Sequence, residues 1–331
     1  MKLSEKRGNM LHGILLIALF SCAAFYISDL SFVKSLSFSP LIVGIILGML
    51  YANSLRNRLP ETWVPGILFC SKQILRLGII LYGFKLTFQD VMAVGLPAIL
   101  IDIIVVTVTI CGGVLIGKWM KMEKEITLLL GAESTIKSKP YQTAVAISTV
   151  VIFGTISMFL YPVLYRNGIV DLTPDQMGIY TGSTLHEVAH VVGAGNAMGK
   201  EISDVGIIVK MIRVIMLVPA LLVIGYFVAR ASVQKINQHQ PAEGGKSKIT
   251  IPWFALGFLA VIGFNSFDLL PQPAISFIND FDTFLLTMAM TALGAETSIE
   301  KFKKAGVKPF LLASFLYIWL LAGGYLLVRY I

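Results

Sequence analysis

The amino-acid sequence predicts an all-α, polytopic membrane protein of about nine to eleven transmembrane helices, with inverted repeats and re-entrant or broken helices. Three observations carry that expectation. First, 56% of the 331 residues are apolar, 14% are charged, and mean hydropathy is +0.79, against roughly 25% charged in an average soluble domain. So few charges cannot coat a water-facing surface of this size, which excludes a soluble globular protein, a disordered chain and a secreted disulfide scaffold. Second, several apolar runs approach the ~20 residues that cross hydrocarbon. Third, the basic residues behind the net charge of +8 gather between those runs: Arg56/Arg58, Lys118/Lys121/Lys124, Lys246/Lys248 and Lys301/Lys303/Lys304/Lys308. Clusters of that kind mark the cytoplasmic loops of membrane proteins. No polar segment interleaves them with aromatics, so nucleic acid is not an expected partner. Cys22, Cys70 and Cys111 each lie inside an apolar run and read as buried thiols.

The clear spans are 11–28, 96–117, 141–165, 207–229 and 308–328. Weaker ones are 40–52, which is short, 64–84, which carries Lys72 and Arg76, 252–267 and 283–300. No small-residue cleavage site clearly follows the first run, so it reads as a helix and not a signal peptide. Segment 177–198 is mildly apolar, rich in Gly, Ser and Ala, and holds His186, Glu187 and His190. Lys2, Lys6 and Arg7 place the N-terminus in the cytoplasm, as do the basic stretches 53–62, 118–139, 230–250 and 301–308 for their own positions. Stretch 268–282, with three aspartates and no Lys or Arg, belongs outside. All basic loops fall on one side only if 177–198 dips in and returns. That count favours nine full crossings around a re-entrant 177–198, with the C-terminus outside.

The chain also repeats itself. Gly83 and Gly95 punctuate one segment and Gly294 and Gly306 another, with Pro40/Pro252 and Pro97/Pro309 in matching places. Similar units of opposite orientation are the inverted repeats of many secondary transporters. One membrane domain is expected: 1–39 as tail and first helix, then repeat-containing halves 40–165 and 166–331.

Ionisable groups within spans are costly and usually face a cavity, with snorkelling to the interface as the plain alternative. Lys72/Arg76 and Lys210/Arg213 form two cation pairs with little intramembrane acid beside them, which suggests an anionic substrate. Asp102 and Glu296 are the acidic exceptions; Asp102 suits a bond to a neighbouring helix, and Glu296 ends a short apolar run where a broken helix would expose it. His186-Glu187-Val188-Ala189-His190 matches the H-E-x-x-H pattern with which a zinc protease holds metal and activates water on a helix. A third ligand is not evident, since His12 and His239 lie in terminal or loop segments. The flanks, Thr181-Gly-Ser-Thr-Leu185 and Val191-Val-Gly-Ala-Gly195, suit a small-residue transport segment where backbone approaches a ligand.

The chain resembles the YeiH-like family of uncharacterised bacterial inner-membrane proteins, labelled as sulfate exporters by inference. The stretches that carry the resemblance are Ile80-Leu-Tyr-Gly-Phe-Lys-Leu86, Thr149-Val-Val-Ile-Phe-Gly-Thr155, Tyr180-Thr-Gly-Ser-Thr-Leu-His-Glu-Val-Ala-His190, Val209-Lys-Met-Ile-Arg-Val214 and Met290-Thr-Ala-Leu-Gly-Ala295. They cover the chain from about residue 40 onward, in the family's order. The resemblance implies a multi-pass plasma-membrane anion exporter. Family members often have Gln at the place of His190, which speaks against zinc. They also carry a small-residue stretch that is absent here, where Leu130-Gly-Ala132 runs straight into Glu133. That stretch resembles 182–195 in character, as a paired re-entrant element would.

The expectation is a secondary transporter of a small sulfate- or sulfonate-like anion. Lys72, Arg76, Lys210 and Arg213 would form an electropositive lining. Ser183, Thr184 and backbone N–H groups near Gly182 would contact the anion, and His186, Glu187 and Glu296 would couple protons. No catalytic residue, cofactor or metal is expected. The partners are the anion, the bilayer and, as an option, a second copy of the chain. The alternatives are an intramembrane zinc metalloprotease built on His186, Glu187 and His190, and a non-transporting membrane scaffold or sensor. No Walker-type loop marks an ATPase.

Overall fold

The computed structural model describes residues 2–35, 38–54, 60–121, 140–215, 253–297 and 307–331, and among these there is no β-strand. The helices are α1 (Lys2–Ser28), α2 (Ser31–Ser35), α3 (Pro40–Ser54), α4 (Val64–Phe69), α5 (Leu75–Tyr82), α6 (Phe88–Trp119), α7 (Pro140–Arg166), α8 (Pro174–Thr184) and α9 (Val188–Met198). They continue with α10 (200–215), α11 (Trp253–Asn265), α12 (Gln272–Glu296) and α13 (Val307–Tyr330). Among the described residues four stretches, Gly8–Ser28, Glu61–Lys85, Phe88–Trp119 and Val307–Tyr330, are long and apolar enough to cross a membrane. Pro40–Ser54, Val151–Arg166 and Trp253–Asn265 are shorter apolar helices.

Local chemistry sets several helix ends. Thr87 and Asp90 form a reciprocal capping box at the start of α6, and Thr173 and Gln176 do so for α8, with Pro174 in the first turn. The span expected over 64–84 is not one regular helix: a π-helical turn, Cys70–Ile74, joins α4 to α5. Inside α6, Gly95 takes φ 69°, a left-handed backbone that a side chain would strain, and Pro97 follows, so the helix kinks there.

Two bundles share these helices. One gathers α1, α3, α4, α5, α11 and α12; the other gathers α6, α7, α8, α9, α10 and α13. In the first, α3 and α12 lie so close that a methyl added at Gly48 would sit 2.7 Å from the Ala295 nitrogen. The two run parallel, since Gly44 faces Thr287 and Asn53 donates to the Thr297 carbonyl at 3.2 Å. Conversely, α4 and α5 run antiparallel to α12: Ser71 bonds Glu296, Gly78 faces Leu286, and Lys85 Nζ lies 2.9 Å from Asp282. Helix α11 follows α5 in parallel, from Arg76 over the Phe254 ring to Asn265 bonding the Leu86 carbonyl.

Those directions make the repeat an inverted one. The shift that matches Pro40 with Pro252 and Pro97 with Pro309 lays α3 on α11, the 61–85 span on α12, and the distal part of α6 on α13. Each matched pair runs in opposite senses. The second glycine-flanked segment, 294–306, lies largely outside the described residues.

In the second bundle the chain doubles back. Gly178 packs on Ile202 and Val205, and Gly182 on Gly206 and Val209, so α8 is parallel to α10. Gly195 meets Ser203 and Val191 meets Gly206, so α9 is antiparallel to α10, turning into it at Gly199 with φ 143°. Residues 174–198 therefore form a hairpin that enters and leaves at one end, as the positive-inside count requires. The basic stretches 53–62, 118–139 and 301–308 are all flanked by helix ends at the other end of the molecule. The chain also re-emerges there at α11, after the basic stretch 230–250.

Single cysteines in a cysteine-free background test this arrangement. Positions Asn53 and Lys121 are expected to react with an impermeant thiol reagent from one face of the membrane, and Asn167, Asp171 and Asp268 from the other. Reaction of Asn167 and Asp268 from opposite faces would break the hairpin topology.

Candidate functional site

The turn of the hairpin gathers buried polar groups, Ser183, Thr184, His190, Lys210 and Arg213. Helix α8 stops at Thr184 because Leu185 (φ −74°, ψ 136°) and Glu187 (φ −103°, ψ 141°) are extended. A helix that ends inside protein leaves its last carbonyls without intrahelical partners. Two side chains of α10 reach them: Lys210 Nζ donates to the Leu185 carbonyl at 2.8 Å, and an Arg213 Nη donates to the Ser183 carbonyl at 2.5 Å. Both cations are buried, at 1% and 2% exposure, and Arg213 Nε lies 3.8 Å from Asp102 of α6, itself 1% exposed. Positive charge at the negative end of a helix dipole adds to these bonds.

The glycines explain how α10 comes so near. A methyl at Gly182 would lie 2.5 Å from the Gly206 carbonyl and 2.8 Å from Val209 Cβ. On the other flank Tyr161 and Tyr180 stack at 4.8 Å and 11°, Tyr161 shares a 2.8 Å bond with the Thr184 hydroxyl, and Tyr180 donates to the Leu321 carbonyl of α13. The Thr184 and Ser183 hydroxyls both bond back to the Tyr180 carbonyl, at 2.5 and 3.4 Å. The two hydroxyls and Gly182 thus shape the hairpin turn.

After the break, α9 begins with Glu187 as N-cap, and Glu187 makes no side-chain cap bond. The first turn of α9 therefore presents backbone N–H groups that the helix itself does not satisfy. His190 is fully buried: its Nε2 lies 3.3 Å from the Thr155 hydroxyl, its Nδ1 3.4 Å from Glu187, and its ring rests on Gly154 of α7. His186, Leu185 and Thr184 face a narrow cleft of about 20 Å³, the room of a water molecule or so. Gly154 and Ser157 of α7 and Leu316 and Tyr317 of α13 line its other walls.

The expected site residues divide into two groups. Gly182, Ser183, Thr184, His186, Glu187, Lys210 and Arg213 come together at the break. Lys72, Arg76 and Glu296 do not; they belong to the other bundle. Lys72 and Arg76 are exposed on the outer face of the 61–85 span, with Arg76 lying 5.9 Å over the Phe254 ring. Ser71, in the π-turn Cys70–Ile74, faces Glu296, while Lys72 and Arg76 face away from α12. Glu296 ends α12 and bonds Ser71, so it is not exposed by a broken helix near the hairpin. The H-E-x-x-H residues also depart from the zinc-protease arrangement. His186 and Glu187 precede the helix that carries His190, so the imidazoles do not share one helical face. No group of three or more His, Cys, Asp or Glu suited to a metal occurs among the described residues.

Sequence reasoning missed the ion pair Lys85–Asp282 and the bond from Tyr82 to Asp204 at 2.7 Å. Their signal was weak: Asp204 follows Lys200, Glu201 and Ser203, and Asp282 stands beside Asn279, Asp280 and Thr283, so neither stands out in the sequence.

Fold and site together define a polytopic, all-helical membrane protein built on an inverted repeat with a re-entrant hairpin. The chain belongs to the family described as Conserved hypothetical protein 698, whose model matches residues 12–313. A protein of Bacteroides thetaiotaomicron named UPF0324 membrane protein is 70% identical over 335 residues, covering 97% of this chain and 98% of that one. The UPF0324 membrane protein PA5383 of Pseudomonas aeruginosa is 40% identical, covering 97% and 94%. The UPF0324 inner membrane protein YeiH of Escherichia coli K12 is also 40% identical, covering 96% and 93%. The Bacteroides alignment runs over 335 positions, more than the 331 residues here, so that relative carries residues with no counterpart in this chain. The place where the sequence suggests such a loss, before Glu133, lies outside the described residues. No solved structure matches.

The cation–carbonyl bonds give a stability test. Arg213→Gln leaves Asp102 buried without its guanidinium and should cost about 3 kcal/mol or more, read as a lower unfolding midpoint in detergent. Adding Asp102→Asn should recover a measurable part of that loss. Equal midpoints for the single and double variants would show that the two residues are not coupled.

Proposed function

We propose that this chain is a secondary transporter that moves a small sulfate- or sulfonate-like anion, and is not an enzyme. The observation that carries the reading is the re-entrant hairpin, broken at Leu185–Glu187 within an inverted repeat. Irregular backbone inside a membrane domain is tolerated only when buried in protein or lining a cavity, and transporters place their substrates at such breaks. The turn offers what a small oxyanion needs. The first N–H groups of α9, which the Glu187 side chain does not cap, would supply donors, and His186 stands at the cleft. Behind the turn, Lys210 and Arg213 provide positive potential while their own hydrogen bonds hold carbonyls. Glu187 and His186 are the groups that would exchange protons as the anion moves. Lys72, Arg76 and Glu296 lie outside this site and have no part in anion contact in this reading. The Lys/Arg asymmetry supports placing the N-terminus and the basic end in the cytoplasm of a bacterial inner membrane.

Purified full-length protein separates this reading from its rivals. Sulfate and methanesulfonate are expected to raise the unfolding midpoint by several degrees, and choline or glucose to leave it unchanged. His186→Gln should weaken the anion effect, whereas Arg76→Gln should preserve it. In vesicles, sulfate movement should carry protons and stop in Glu187→Gln. Stabilisation by neutral solutes alone would remove the anion reading. One zinc per chain, lost in His186→Ala, would replace it with the protease.

A further inference from the structure

Where the two bundles meet, their polar contacts gather at the end opposite the basic stretches. Tyr82, at the end of α5 and 2% exposed, donates to Asp204 of α10 at 2.7 Å and lies 3.1 Å from the Ser203 hydroxyl. Asn196 of α9 reaches the same Ser203 hydroxyl at 3.3 Å. Beside this contact the Phe88 N–H at the start of α6 bonds Ser266, just beyond α11, at 2.7 Å. The Tyr82 ring is held in turn, with Lys85 Nζ lying 4.4 Å over it. Lys85 itself is tied to Asp282, whose side chain is fully buried, at 2.9 Å. The phenol thus enters the second bundle from a mount built wholly in the first.

The repeat makes this arrangement informative. The shift that matches Gly83 with Gly294 also matches Lys85 with Glu296 and Ser71 with Asp282. The two polar pairs, Lys85–Asp282 and Ser71–Glu296, are therefore related by the pseudo-symmetry and sit at opposite ends of the α12 contact. The partner of Tyr82 under the same shift is Leu293, which has no hydrogen-bonding group. The mount is repeated at both ends, but among the described residues the polar tongue is seen at the Tyr82 end.

We propose that Tyr82, bonded to Asp204 and Ser203, is a latch that holds the two bundles together at the end opposite the basic loops, and that parting it exposes the hairpin turn to that face. The inference rests on the transporter reading, because a latch of this kind serves alternating access. Lys85 and Asp282 are positioning residues, which aim the ring without crossing between bundles. Leu293 at the equivalent place gives the basic end no such bond, so the closed state is biased toward one face.

The test uses full-length protein in lipid vesicles, cysteine-free except for Ser157→Cys in the cleft wall. The readout is the rate of modification by an impermeant thiol reagent added to either face. Tyr82→Phe keeps the packing and removes the donor. With Asp204→Ala, it should raise modification from the face opposite the basic loops on the order of tenfold, as loss of a charged hydrogen bond in a two-state equilibrium does. Asp204→Asn, which keeps an acceptor but not the charge, should fall between the parent and Asp204→Ala. Should Tyr82→Phe fold poorly, the Asp204→Ala and Asp204→Asn pair carries the same comparison. Unchanged rates in both disrupting variants, or an equal rise from both faces, would overturn the latch. The readout uses no anion, so failure of sulfate to stabilise the protein leaves it intact and removes only the substrate class.

Discussion

Everything at the candidate site follows from one constraint: a helix that breaks inside a membrane protein exposes carbonyls that water cannot reach. Each unsatisfied backbone group in hydrocarbon costs several kcal/mol. The break after Thr184 is sustained because Lys210 and Arg213 deliver charged donors to Leu185 and Ser183. Those cations are themselves expensive to bury. Their charge is offset by the carbonyl end of α8, by Asp102, and by the short reach that Gly178, Gly182 and Gly206 allow between α8 and α10. Remove the glycines and the cations cannot reach; remove the cations and the turn cannot remain irregular. Conformation, packing and electrostatics are one problem here, solved jointly.

Much of the fold was legible in the sequence because membranes impose strong one-dimensional rules. Run length gave the class, and the Lys/Arg asymmetry gave the return of 177–198 to the end it came from. The contacts of Gly178, Gly182 and Gly195 with α10 then show that return directly. Two pairs of prolines and two pairs of glycines pointed to the inverted repeat. What the sequence did not reveal is where intramembrane charges point. A cation at helical spacing looks the same whether it faces an anion, a carbonyl or the outside of the bundle. Lys210 and Arg213 face carbonyls, and Lys72 and Arg76 face outward at a π-turn that no residue type announces. Lys85 and Asp282 are far apart in the chain, so only the antiparallel register of α5 and α12 reveals them as partners.

The repeat is symmetric in backbone and asymmetric in polar chemistry. Glycines and prolines, which set close approach and kinks, match between the halves. The side chains at matched positions do not: a lysine faces a glutamate across the shift, and a tyrosine faces a leucine. Backbone symmetry lets two conformations of opposite orientation have similar packing, while differing side chains set which of them is lower. A single hydrogen bond to a charged group, worth roughly 1.5–3 kcal/mol, suffices to populate one state over the other by ten-fold or more.

The way the hairpin is anchored also decides what can move. Its turn is tied to α10 by Lys210 and Arg213, to α7 by Tyr161 and His190, and to α13 by Tyr180. Moving the turn alone would break these bonds together and separate buried charges from the groups that hold them. Close-packed interiors resist that kind of local deformation and shift as units instead. The contacts between the bundles are of another kind. Apart from the bonds of Tyr82 and Phe88 at one end, they include apolar ones such as the Met290 methyl against Gly193. Apolar surfaces can slide or part without leaving a charge unsatisfied. The cheaper motion is therefore of α6 to α10 and α13 as a body against the scaffold of α3, α5 and α12, with the hairpin turn carried intact.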